Sequence, residues 1–233
     1  MIALHVPCLL QARRPRAVQA MLAVGEALGW EQTAPRGQTC CGLPAWEAGF
    51  EDAARDAARR TVQLFADADR VLTPAATCWT MLTRRIPALL ADSPHGAAAQ
   101  ALARKTLLWS DAVAAEGERL LPRMRFSGRV MLLHACARGF DDEFRGLVEA
   151  IPGLTLVESL GDCCSYSHDL SRHHPDIAAA MAETQAALLR RRRLDAVVVN
   201  EPGCLMQLGP QCQASHSPAL LLPAEFLAMG LGM

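Results

Sequence analysis

Ile2-Ala-Leu-His-Val-Pro-Cys8 and Val130-Met-Leu-Leu-His-Ala-Cys136 read alike, 128 residues apart. Each is a short apolar run of strand character that ends in a histidine and then a cysteine. The repetition continues downstream. Cys8 is followed by the pair Cys40-Cys41 and by Cys78, and Cys136 is followed by the pair Cys163-Cys164 and by Cys204. Corresponding cysteines are 128, 123, 123 and 126 positions apart, so the chain reads as a duplicated unit of about 125 residues. Eight of the nine cysteines obey the pattern, and Cys212 stands outside it. Cysteines that merely fill a core have no reason to repeat in this order, whereas two ligand sets do.

Outward from the two cysteine-ended strands, each half alternates strand with helix. In the first, Val18 to Leu28 has helical apolar spacing, and Thr33 to Gly42 holds Pro35, Gly37 and Gly42 and reads as a loop carrying the cysteine pair. Glu51 to Phe65 reads as helix, Val71-Leu72 as strand, and Cys78 opens a helix toward Leu90. Ala97 to Leu120 reads as one long helical stretch linking the halves. In the second half, Leu154 to Glu158 is a strand before Cys163, Ala178 to Arg193 a helix, Ala196 to Asn200 a buried strand before Cys204, and Ala219 to Met229 a final strand or helix. The expected fold is α/β, with two pseudo-repeated Rossmann-like cysteine-rich units packed as one compact protein: residues 1–95, a helical linker 96–125, and a variant second unit 126–233. Cys8, Cys78, Cys136 and Cys204 each follow an apolar strand. Open α/β sheets gather ligands beyond the carboxyl ends of their strands, so these cysteines are expected to converge there.

Composition excludes several classes. With 51% hydrophobic residues the chain has ample core material, and 23 basic against 24 acidic residues give no electrostatic footprint for nucleic acid or an anionic membrane surface. The first residues lack the charged region and cleavage site of a signal peptide, and no apolar stretch has the length of a membrane span. Nine cysteines in such a chain point to ligands or redox chemistry in a cytoplasmic protein rather than to a disulfide scaffold. No Gly-x-Gly-x-x-Gly fingerprint supports a nicotinamide or flavin site.

Four thiolates per half suffice for a zinc ion or a [4Fe-4S] cluster. Compact zinc sites draw their thiols from Cys-x2-4-Cys knuckles and bacterial ferredoxins from Cys-x2-Cys runs, and this chain has neither. Adjacent cysteines combined with single cysteines 27 or more residues away fit a site wrapped by a folded domain. Candidate ligands are Cys8, Cys40, Cys41, Cys78, Cys136, Cys163, Cys164 and Cys204, holding one or two iron–sulfur clusters, with zinc as the alternative.

Gln38-Thr-Cys-Cys-Gly-Leu-Pro44, the following residues to Gly49, and Thr73-Pro-Ala-Ala-Thr-Cys78 resemble the motifs of the cysteine-rich Cys-Cys-Gly domain proteins. That family includes the B subunit of heterodisulfide reductase and the small subunits of bacterial L-lactate utilisation complexes, and the resemblance spans nearly the whole chain. It implies an iron–sulfur electron-transfer subunit of a multisubunit oxidoreductase, with other iron–sulfur or redox subunits as partners and lactate or a related 2-hydroxy acid as substrate. Heterodisulfide-reductase-like cleavage or reduction of a sulfur substrate, and a zinc-bound structural protein, are the alternatives. The family pattern ends each half in Cys-x2-Cys. Here Ala75 and Glu201 replace the first cysteine of that pair, and Ser165 replaces the glycine after the second Cys-Cys. The lactate-type subunits also lack the first cysteine of the first terminal pair, so the departure favours them, and the first site is expected to be the more regular.

Around the cysteines, Glu201 reads either as a cluster ligand or as a local cap, since Pro202 follows it. His5 and His134 match in position and read as strand-end packing or as thiolate-orienting groups. His168, His173 and His174 read as a polar loop and helix entrance or as proton carriers. Tyr166 reads as loop packing or a proton donor, and Trp46 and Trp79 as packing or a cluster cover.

Overall fold

The computed structural model describes residues 1–134, 138–159, 163–166, 168–213 and 217–233. Two four-stranded sheets make up the molecule. The first contains β1 (Ile2–Leu4), β2 (Gln32–Thr33), β3 (Arg70–Thr73) and β4 (Thr106–Leu108), in the order β2-β1-β3-β4. The second contains β5 (Gly128–Leu133), β6 (Leu154–Val157), β7 (Ala196–Val199) and β8 (Ala219–Leu221), in the corresponding order β6-β5-β7-β8. Every pairing is parallel, and the strands run in register as Ala3↔Val71 and Leu133↔Val199. Parallel strands need crossovers, and helices therefore cover both faces. This is why β7 is buried along its whole length and β5 from Val130 to Leu133.

The sequence sets the helix starts. Pro15, Pro175, Pro202 and Pro223 each occupy the first helical position, where a missing N–H costs nothing. Asp141 caps Asp142–Glu149 by accepting from Phe144 N at 2.8 Å, a contribution of about 1 kcal/mol. Glu51 and Asp52 place negative charge in the first turn of Glu51–Leu64, where the helix dipole favours it.

The stretch 97–120 differs from its helical reading. A helix at Gly96–Lys105 gives way to β4, then to a helix at Trp109–Ala114 and a 3-10 segment at Gly117–Arg123. Pairing with β3 (Val71↔Thr106, Thr73↔Leu108) overrides the local helical pattern, and β-branched Thr106 fits the change.

The halves exchange their closing helices. Trp109–Ala114, which follows β4, packs against Asp142–Glu149 of the second half, and Pro223–Gly230, which follows β8, packs against Pro15–Ala27 of the first. Met21, Val24 and Leu28 consequently share one buried cluster with Phe226, Leu227 and the strands β5 and β7. A partly buried ion pair, Arg14 to Glu225 at 3.0 Å, closes the second of these contacts. Among the described residues, no helix is long and apolar enough to cross a membrane.

Candidate functional site

In the first half the cysteines converge beyond the carboxyl ends of the strands. Cys8 begins the helix Cys8–Arg13 after β1, and Cys78 lies in the helix Ala76–Thr80 after β3. Cys40 and Cys41 arrive on the loop after β2. β1 and β3 are neighbours whose connections leave in opposite directions, the switch point at which open α/β sheets form a crevice. One cavity is lined by all four thiols together with Pro7 and Glu201. The Sγ atoms of Cys41 and Cys78 are 3.6 Å apart; both residues are buried, Cys40 is half-buried and Cys8 is exposed.

Two local devices hold the pair in place. Gln38, two residues before Cys40, acts as a side-chain extension of β1. Its Oε1 accepts from Val6 N at 2.8 Å, and its Nε2 donates to the carbonyls of Leu4 at 2.9 Å and Pro35 at 3.1 Å. Gly42 turns the chain with φ 93°, and a Cβ there would lie 3.1 Å from Ala57 Cβ and 3.3 Å from the Ala54 carbonyl.

The thiols crowd one another electrostatically. The hydrogen bond that the Cys8 thiol makes with Cys40, then burial, then the neighbouring sulfurs push this thiol far above its usual range. Hydrogen bonds to Cys40 and Cys78, followed by burial, do the same to Cys41. Cys8 and Cys41 do not ionise unaided, whereas a bound cationic centre reverses the balance and releases their protons. The cavity itself measures about 30 Å³, room for one water. A larger group needs the residues around this cavity to move apart. Among the described residues, no three His, Cys, Asp or Glu side chains are arranged to hold a single metal ion. The donor set nevertheless suits a sulfur-rich iron centre in kind: soft, gathered and partly shielded.

His5 lies behind this loop. Its Nδ1 shares a hydrogen bond with Thr73 Oγ1 at 3.0 Å, and burial, opposed by Cys40, lowers its pKa to about 4, so the ring is neutral at ordinary pH. Its Nε2 has no partner among the described residues. His134, its match in the sequence, is exposed, so the two histidines do not share an environment.

The second half is arranged differently. Cys164 and Cys204 are joined as a disulfide with their Cα atoms 5.5 Å apart. Cys163 is exposed and its Sγ accepts from Ser165 N at 3.3 Å. Cys136 lies outside the described residues, as do Gly161 and Asp162. Ser165 adopts φ 65°, the left-handed region that Gly42 occupies in the first half. A residue with a Cβ pays about 1–2 kcal/mol there. The Ser165 hydroxyl offsets this, lying 2.5 Å from the Cys164 carbonyl and 2.7 Å from that of Ala178 and accepting from Gln207 Nε2 at 3.3 Å.

The halves meet at Glu201. This carboxylate, 5% exposed, accepts from Thr77 N at 2.9 Å and from Gly203 N at 3.2 Å. It therefore caps the Cys78 helix of one half and the Cys204 helix of the other. Ala76 N donates to the Asn200 carbonyl at 3.0 Å beside it. Of the two readings of Glu201, capping is the one these bonds display, and the residue also lines the first thiol cavity. Tyr166 lies so close over Gly203 that any Cβ there would collide with its ring. Burial first, then Glu201, Cys8, Glu47 and Cys78, raise the Tyr166 phenol to about 12.

Trp46 and Trp79, both half-buried, flank the first site under stacked guanidiniums: Arg85 lies 4.2 Å from the Trp46 ring, and Arg138 4.5 Å and Arg84 5.7 Å from that of Trp79. Arg138 also pairs with Asp111 at 2.8 Å. His173 and His174 are exposed, and Cys212 is half-buried at the end of the 3-10 segment Gly209–Cys212, where burial raises its thiol pKa. Sequence reading missed Asp111 and Arg138, which come together only in the fold. It also passed over the role of Gln38, whose place two residues before the cysteine pair was the available signal.

Two parallel sheets of identical strand order, each bringing cysteines to its carboxyl edge, define a class. The chain belongs to the cysteine-rich CCG domain family, whose pattern matches residues 2–83 and 130–209. Among individual proteins, it is similar to Lactate utilization protein A of Bacillus velezensis, 29% identical over 89% of this chain and 90% of that protein. It is also similar to the proteins of that name from an Exiguobacterium species, 27% identical over 99% and 98%, and from Bacillus subtilis, 28% identical over 89% and 90%.

Proposed function

We propose that this protein is an iron–sulfur electron-transfer subunit of a multisubunit oxidoreductase that oxidises lactate or a related 2-hydroxy acid. The observation that carries the reading is the convergence of Cys8, Cys40, Cys41 and Cys78 on one cavity at the switch point of the first sheet. The relatives' name supplies the lactate connection. Those four thiols would hold the first centre, probed as [4Fe-4S], and Cys136, Cys163, Cys164 and Cys204 would hold a second once the Cys164–Cys204 disulfide is reduced. Such a centre supplies one-electron transfer at a potential set by its surroundings. The chain's own contribution is positional. Gln38 and Gly42 fix the loop that carries the pair, Glu201 fixes the helix that carries Cys78, and neutral His5 backs the Cys40 side without adding charge. The described site offers no group that must abstract a proton, which suits a relay fed by partner subunits.

One observation favours a second reading, thiol–disulfide chemistry on a sulfur substrate. The exposed Cys163 adjoins Cys164, which is disulfide-bonded to Cys204. Anaerobic purification with iron, acid-labile sulfide and zinc analysis, followed by EPR of the reduced and oxidised protein, separates the possibilities. Iron with sulfide, reduced by lactate in the presence of purified partner subunits, is the expected result. Zinc without sulfide overturns the redox reading, and clusters oxidised by a disulfide but never reduced through lactate support the second.

A further inference from the structure

Arginine and tryptophan form a rim beside the first cysteine site. Cys78 is followed directly by Trp79, and the pair Cys40-Cys41 by the helix Leu43–Glu47 that carries Trp46. Trp46 packs on the buried cluster that contains Cys41 and Cys78. Downstream of Trp79 the chain widens into a π-helical turn, Met81–Arg85, before the helix Ile86–Leu89. Pro87 accounts for the widening, because it has no N–H to give to the Thr83 carbonyl. In an ordinary α-helix Trp79 and Arg84, five residues apart, would point about 140° away from each other. A π turn brings positions five apart onto one side, and Arg84 lies 5.7 Å from the Trp79 ring. Arg85, the next residue, reaches Trp46 instead, at 4.2 Å.

A guanidinium stacked on an indole keeps its in-plane N–H donors for a carboxylate. The structure contains one such arginine in use. Arg138 is 4.5 Å from the same Trp79 ring, and its Nη2 donates to Asp111 Oδ2 at 2.8 Å. Arg84 and Arg85 are exposed, and no salt bridge among the described residues includes either. They are two stacked forks without a carboxylate. Neither lines the thiol cavity, so their ligand meets an outer surface. The net charge of -1 makes this a local cluster rather than part of a basic face for nucleic acid. Tryptophan and arginine are also the residues on which protein interfaces most often depend for their binding energy.

We propose that Arg84 and Arg85, backed by Trp79 and Trp46, are the docking surface for carboxylates of an acidic partner subunit, held beside the first cysteine site. The assignment rests on the multisubunit reading above and adds to it the face on which a partner sits. It requires no bound centre in this chain.

The test measures, by calorimetry at two ionic strengths, how the full chain binds the purified partner subunits of the lactate assay. Arg84→Gln combined with Arg85→Gln should weaken binding about tenfold or more at low salt. The parent's affinity should fall between about 50 mM and about 300 mM salt, and the double variant's should change much less. Arg85→Lys, which keeps the charge and loses the planar fork, should fall between the parent and Arg85→Gln. Arg129→Gln, at an exposed position near the start of β5, should bind like the parent. Far-ultraviolet spectra matching the parent's separate lost binding from lost fold. Partner binding left unchanged by the double variant overturns the docking surface while leaving the multisubunit reading intact. Partner subunits that do not bind the parent overturn both. A single-stranded oligonucleotide bound by the parent and lost in the double variant, with partner binding unchanged, overturns the proposal in favour of nucleic acid.

Discussion

Replacing Glu201 with alanine removes one carboxylate and unties two helices. Thr77 N–H and Gly203 N–H, held at 2.9 and 3.2 Å, lose their acceptor in a place water does not reach. A hydrogen bond to a charged group contributes about 1.5–3 kcal/mol, and loss of a helix cap alone costs about 0.5–2 kcal/mol. The two figures overlap because capping is that hydrogen bond, so the sum for both helices is about 3 kcal/mol. At about 2–4 °C per kcal/mol for a chain of this size, the midpoint of thermal unfolding falls by about 6–12 °C. Glu201→Gln keeps the shape and one acceptor oxygen but turns an N–H toward one of the donors, and about half the loss should remain. Calorimetry on the metal-free protein, checked by urea unfolding, reads both changes without involving any bound group. A Glu201→Ala midpoint within 1 °C of the parent would show that the carboxylate does not hold the two helices.

Other perturbations probe separate parts of the structure. Burial, together with Asp141 and against the pull of Arg138, raises Asp111 from 3.8 to about 6, so the folded state holds this proton more tightly than the unfolded one. That stabilisation is complete below about pH 4 and disappears as pH rises through about 6, a loss of about 2–3 kcal/mol. Asp111→Asn should remove this part of the pH dependence when urea midpoints are compared from pH 4 to pH 8, and an unchanged profile would contradict the assignment. Gly203→Ala forces Tyr166 off the Cys204 helix; its phenol should then titrate nearer 10 than 12 by ultraviolet absorbance. Gly42→Ala combines a left-handed backbone with a Cβ pressed on Ala57 and Ala54, and should cost about 2 kcal/mol or more in urea unfolding.

The duplicated strand-then-cysteine pattern made the two parallel sheets legible, because the apolar strands and the cysteine order repeat together. Strand β4 was hidden. Three residues, Thr106 to Leu108, follow a run of helix formers, and only the open edge of β3 makes them a strand. The four first-half thiols were expected together and are together. In the second half the pairing of Cys164 with Cys204 was not foreseen, since cysteine order alone does not say which sulfurs touch. The position of Glu201 was conspicuous in the sequence, yet its bond to Thr77 spans 124 residues and belongs to the packing of one half on the other.

The exchange of closing helices has a consequence for assembly. A single unit standing alone would leave Pro15–Ala27 uncovered and extend Trp109–Ala114 into solvent. A second copy, turned about a two-fold axis, would satisfy both at once, because the two contacts are counterparts. The molecule is in this sense an isologous dimer written on one chain, with the carboxylate of Glu201 close to where its axis would pass. Severing the chain at exposed Ser127, between the 3-10 segment Gly117–Arg123 and β5, should therefore yield two pieces that are each insoluble or unfolded alone and recover the native far-ultraviolet spectrum when mixed.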